Sequence, residues 1–204
     1  MAGFYPFNPT LGQRLQTNAN GVVVDASYIA HLVWSEEEAI VADIDSLKVA
    51  TAVSADSTVT LVPTAQPACA RNITLTADGT AGSIKAVAAI VTGKNIDGET
   101  ITETMPAFTV DTAGSVTGSK AFASVDKVDV PAMDGAGVTV SIGHGEKLGL
   151  PYLLPTNTVL FGSKGATREA DAPTVAVSAT AIESNTIDFN SALDGTEMHA
   201  YFVV

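Results

Sequence analysis

ARNITLTADGTAGSIKAVAAIVTGKNIDGETITETMPAF, residues 70–108, decides the fold class. Within NITLTA (72–77), Ile73 and Leu75 fall on one face of an extended chain and Thr74 and Thr76 on the other. SIKAVAAIVTG (83–93) reads as one longer strand closed by Gly93, and Asp97-Gly98 is a strong short-range hairpin signal. After that turn Ile101 faces opposite to Thr100 and Thr102; Glu99 and Glu103, on alternate positions of one strand, are expected to share its solvent face.

The same pattern extends in both directions. TVTLV (58–62) alternates. KAFASVDKVDVP carries Phe122, Val125, Val128 and Val130, and the broken spacing after Phe122 predicts a bend or bulge. Asp134-Gly135 turns the chain into Val138, Val140 and Ile142. Residues 173–182, 185–190 and 197–204 read as further strands, with Leu193-Asp194-Gly195 as the turn into the last. The segment 150–173, with Pro151, Pro155 and Pro173, reads as irregular. Short strands with turns about every ten residues predict an all-β protein, an antiparallel β-sandwich or jelly-roll-like body.

Two regions read differently. Residues 1–27 place Phe4, Tyr5 and Phe7 among Gly3, Pro6, Asn8 and Pro9, which blocks both helix and central strand. An extended N-terminal arm is expected there. Phe4, Tyr5, Phe7 and Leu11 would fill apolar pockets of a partner, and Arg14 would meet an acidic rim. The alternative is an arm tucked against its own body. From Ser27, Ile29, Leu32 and Val33 fit one face of a short helix, and Ser35 followed by Glu36, Glu37 and Glu38 resembles an N-cap with acids in the first turn. Two strands joined by an acidic turn fit as well, and little helix is expected. Trp34 reads as a core or interface anchor. The body is expected over 28–155, and 156–204 either joins it or forms a small second β-domain.

Composition narrows the function. The 204 residues are 46% hydrophobic, much of it Ala and Val, and only 16% are charged. The formal net charge of −12, with ten scattered Lys and Arg, argues against binding a phosphate backbone, so no nucleic acid is expected. Cys69 is the single cysteine, so neither an internal disulfide nor a CxxC metal knuckle can form. The N-terminal stretch lacks the pattern of a signal peptide and the apolar runs are short, so neither secretion nor a membrane partner is expected.

Candidate chemistry is sparse. His31, His144 and His199 lie far apart, in no metal spacing. His144-Gly145-Glu146 matches half of a zinc deaminase signature but lacks the P-C-x-x-C half, and the flanking glycines favour a turn. Cys69 with a distant histidine could form a nucleophile pair, although a small buried side chain is the better reading. Asp43 and Asp45 could contribute to a calcium site, but no EF-hand pattern accompanies them. No cofactor and no enzymatic activity are expected.

A resemblance carries the functional reading further. ARNITLTADGTAG, VTGKNIDGETITETM, GSKAFASVDKVDVPAMDG and SIGHGEKLGLP, in that order, resemble a widespread set of small bacteriophage virion proteins coded among the head genes. NTIDFNSALDGTEMHAYFVV near the end is similar to that group too. The stretch covers roughly residues 70–153, under half the chain. The resemblance implies a virion structural protein on the capsid surface, made in the host cytoplasm, that decorates and cements the head shell. The implied partners are the major capsid protein and further copies of itself, a trimer being one arrangement. The alternative is a tail, baseplate or fibre component. The resemblance carries over no catalytic residue.

Overall fold

The computed structural model describes residues 14–16, 23–25 and 29–203. The protein is all-β and sandwich-like, with antiparallel sheets throughout. Among the described residues the only helical turn is a 3-10 turn at Ile182–Ser184.

Among the described residues sixteen strands form four sheets. β1 (Arg14–Gln16) and β2 (Val23–Asp25) pair only with each other, Arg14 opposite Asp25. These six residues are all that is described of the expected 1–27 arm.

Sheet I has the order β5 (Val59–Leu61), β10 (Ser124–Val130), β7 (Ile90–Lys94), β8 (Thr100–Thr104). Sheet II has the order β14 (Thr174–Ala176), β15 (Thr186–Asp188), β11 (Val138–Gly149), β6 (Arg71–Gly79), β9 (Gly114–Phe122), with β4 (Asp43–Ala52) also on β11. Sheet III has the order β13 (Thr167–Arg168), β12 (Val159–Lys164), β16 (Met198–Val203), β3 (Ile29–Trp34).

Sheets I and II enclose the first core. Alternation supplies it: Ile73, Leu75 and Ala77 from β6, Val125, Val128 and Val130 from β10, Val138, Val140 and Ile142 from β11, all at most 1% exposed. The expected bend after Phe122 is the corner where the chain leaves sheet II as β9 and enters sheet I as β10. The Asp97-Gly98 hairpin joins β7 to β8, with Gly98 at φ +80 and Asn95 holding the turn through Asn95 Oδ1, which accepts from the Asp97 and Glu99 amides.

The second core lies between sheet III and the far end of β11 with β15. It gathers Trp34, Leu148, Leu150, Ile187, Phe189, Met198 and Phe202. Trp34 meets Phe189 edge-on at 5.5 Å. β11 therefore serves both cores, through Val138, Val140 and Ile142 at one end and Leu148 at the other.

Several expectations need correction. Residues 84–89 are not strand, so the long 83–93 strand reduces to β7. Segment 150–173 is not wholly irregular, because β12 and β13 lie in it. The strand expected over 173–182 is only β14. Residues 29–52 follow the reading of little helix and two strands joined by an acidic turn: β3 turns Ala30, Leu32 and Trp34 inward and Ile29, His31 and Val33 outward, and β4 follows the turn. The Ser35 signal is used there. The Ser35 amide and Oγ both donate to Glu38 Oε2, at 2.9 and 3.0 Å, while Ser35 O accepts from the Glu38 and Ala39 amides. That closes one turn, after which Ile40 and Val41 lead into β4. Residues 156–204 are divided between sheets II and III.

Candidate interaction surface

The inner residues of sheet III fill the second core, so alternation leaves a second set facing out. On β12, β16 and β3 that set includes Phe161, Tyr201 and His31, directly cross-strand to one another. Their rings stack: Phe161–Tyr201 at 4.5 Å and Tyr201–His31 at 4.3 Å with planes 6° apart. Arg168 of β13 lays its guanidinium 4.5 Å over the Phe161 ring and caps that end. At the other end His31 Nε2 lies 3.1 Å from His199 Nδ1, and one nitrogen donates to the other. Glu197 Oε2 reaches His199 Nε2 at 3.5 Å. Ile29 and Val33, 66% and 38% exposed, flank His31.

Each stacked pair contributes about 0.5–1.5 kcal/mol beyond area burial, so the ladder stiffens this face without help from the core. Between rungs the ring faces are taken up by one another. Tyr and Arg in a pre-ordered apolar patch are the side chains that dominate binding between proteins. Val41, on the approach to β4, and Ile44 and Val49 on the strand itself are each more than half exposed.

The chemistry-bearing residues are arranged differently from expectation. His144 lies within β11, not in a turn, where a bulge begins. Ile73 pairs with His144 and Arg71 with Leu148, so Gly145, Glu146 and Lys147 together face Asn72. Asn72 Oδ1 accepts from the Lys147 amide at 3.0 Å, and its Nδ2 donates to Gly118 O. Arg71, fully buried, donates from Nε and Nη2 to Gly145 O at 3.1 and 2.6 Å, and from Nη1 to Ile40 O at 3.0 Å and Glu38 O at 3.4 Å. Backbone carbonyls thus solvate its charge. Gly143 is needed where β4 crosses, since a side chain would meet Asp43 O.

Beside the bulge is a cleft of about 370 Å³ walled by Ile44, Asn72, Thr74, Thr117, His144 and Glu146. Burial first, and the Arg71 charge second, hold the His144 pKa below the ordinary imidazole value, with Asp43 opposing. His144 Nδ1 is buried with no partner among the described residues. Burial pushes the Cys69 thiol up to about 12, so it stays protonated at neutral pH and is a poor nucleophile. Asp43 Oδ1 accepts the Asp45 amide at 3.0 Å, and among the described residues no three His, Cys, Asp or Glu side chains converge on a metal position.

Glu103 also departs from expectation. It is buried, not on a solvent face shared with Glu99. Its Oε1 accepts from the Ser119 amide at 2.6 Å and Ser119 Oγ at 2.9 Å, joining sheet I to β9.

Of the expected partner-binding residues, Phe4, Tyr5, Phe7 and Leu11 lie outside the described residues, and Arg14 opens β1. Sequence reading misses the ladder because its rungs are spread over residues 31 to 201. The alternation of His199, Tyr201 and Val203 in EMHAYFVV is its one local signal. Compared with protein-family models, curated proteins and solved structures, the chain finds no match in any of the three.

Proposed function

We propose that the protein is a virion structural protein that decorates and cements a phage head shell, acting through packing surfaces and not through catalysis. The observation that carries this reading is the outer face of sheet III. There Arg168, Phe161, Tyr201 and His31 form a pre-stacked ladder flanked by exposed Ile29 and Val33. Such a face gains little from water and much from a protein partner. Exposed Val41, Ile44 and Val49 add apolar surface around β4. The resembling stretch, 70–153, comprises β6 to β11, the strands around the first core, and so concerns the scaffold more than its contacts.

In this reading the partners are the major capsid protein and other copies of the chain, and the site of action is the capsid surface. Each contact is modest, and repetition over a closed shell makes the sum strong. The N-terminal segment with Phe4, Tyr5, Phe7, Leu11 and Arg14 supplies the grip on neighbouring subunits.

Co-sedimentation of the purified protein with empty shells of the parent phage tests this, followed by imaging of the pellet. The proposal expects ordered density on the shell, and loss of binding when residues 1–20 are removed from a body that stays folded. A chain that ignores shells but forms rings or tubes alone belongs to the tail. Equal shell binding by the truncated chain removes the role of the arm.

A further inference from the structure

Sheet edges invite pairing with other strands, and most edges of this protein are blunted. β5, β13 and β14 have two or three residues each. β4 carries Asp43, Asp45 and Lys48 and shifts register against β11 twice. β9 bulges opposite Ile73, where Asn72 and Thr74 pair with Ala121 and Thr117. β8 is covered from the side, because Lys120 Nζ donates to Thr102 O at 3.1 Å. β3 has none of these devices. Its six residues pair with β16 without a register shift, contain no Pro, Lys, Arg, Asp or Glu, and among the described residues pair with nothing else.

We propose that β3 pairs antiparallel with β3 of a second copy of this chain about a two-fold axis at His31, with Ile29 opposite Val33 of the other copy. Three structural features select this occupant. First, the exposed side chains are symmetric about His31. Ile29 and Val33 lie two residues to either side on the outer face, so one register covers both apolar residues twice over. A shift of two residues in either direction leaves them opposite a polar or unpaired position. Second, the ring ladder is capped by Arg168 at one end only. Across the axis it continues from His31 into the second copy's ladder, and an Arg caps both outer ends. Third, charge permits it. Two chains of net charge −12 repel, yet none of the described strands of sheet III carries a carboxylate side chain. Sheet I holds Glu103, Asp126 and Asp129 on its strands, and sheet II holds Asp43, Asp45, Asp78, Glu146 and Asp188. Exposed Glu36 and Glu37 follow β3 and lie beyond the five-residue overlap of 29–33. The result is one eight-stranded sheet across two copies. The inference does not depend on what the protein decorates.

Sedimentation of the full chain over a range of concentrations tests it. The wild type is expected at twice the 20.8 kDa chain mass. Ile29→Glu and Val33→Lys, each alone, are expected to weaken the dimer about tenfold or more. Combining the two sets the introduced carboxylate of each copy opposite the introduced ammonium of the other and restores the dimer. Within one copy these positions are four strand residues apart, roughly 13 Å, too far to pair. Unchanged emission from buried Trp34 verifies that sheet III is intact in each variant. A wild type that stays monomeric, an oligomer indifferent to both single substitutions, or a double variant no better than the singles overturns the proposal.

Discussion

The two cores that share β11 are built in different ways. The one between sheets I and II is mainly aliphatic, with valines on β7, β10 and β11 filling the space beside Phe108 and Phe122, and backbone ladders, with Glu103 as a polar link, pair the peptide groups of its walls. The one under sheet III is aromatic and is stitched by polar side chains. Asn185, fully buried, accepts at Oδ1 from the Leu154 and Ser178 amides, at 3.1 and 2.8 Å, and donates from Nδ2 to Ser178 O and Ala181 O. Arg71 serves the carbonyls of 38, 40 and 145 in the same way. The difference follows from the chain path. Where strands meet strands, the interior can be dry. Where loops enter, their amides and carbonyls have no ladder partner, and a buried Asn or Arg must supply one.

That contrast can be broken most forcefully at Arg71. Arg71→Met keeps the apolar stem but leaves the carbonyls of Glu38, Ile40 and Gly145, the last of them buried, without this donor, and the expected loss is about 3–5 kcal/mol, read from urea unfolding. Ile142→Val in the first core removes one methylene from a dry interior and is expected to cost only about 0.5–1.5 kcal/mol by the same measurement. If the two losses prove equal, polar stitching is not what holds the second core.

The smallest expected effect lies at His144, where the cores adjoin. Its folded-state pKa is lowered, chiefly by burial, so the fold favours the neutral ring. Above the unfolded value of about 6.5 this has no pH dependence. As pH falls below that value the unfolded chain takes up the proton first, and stability declines until the native pKa is passed. In His144→Gln that part of the acid decline disappears, visible as a shallower slope of unfolding free energy against pH than in wild type. A slope identical to wild type refutes the assignment.

Legibility in the sequence follows the same division. Alternation and Asp-Gly turns expose β6, the β7–β8 hairpin and the first half of β11, because each of those features is local. Ser35 and Glu38 form the hydrogen bonds of a helix start, yet the chain runs on through Ile40 and Val41 into β4, so of the two readings open for this segment the strands joined by an acidic turn are the one realised. Alternation puts Glu103 on the same face as Ile101, the buried one, but a carboxylate reads as solvent-facing because its partners, the Ser119 and Lys120 amides, belong to a strand that only the tertiary fold brings near. Sheet III is the least legible part. Its edge pairing joins residue 29 to residue 203, and no window of sequence contains both. Of the candidate contact residues, those on the ladder have no motif, and Phe4, Tyr5, Phe7 and Leu11 can be read only from composition.

The pairing of β3 with β16 also sets an order of events during synthesis. The first core needs nothing beyond β11 for its walls, so it can assemble while the C-terminal quarter of the chain is still being made. The ring ladder cannot. His31 leaves the ribosome early and waits for Tyr201, nearly the whole chain later. The face with the greatest capacity for contact is thus withheld from every nascent or truncated chain lacking residues 198–203, and is presented only by copies whose scaffold is already in place.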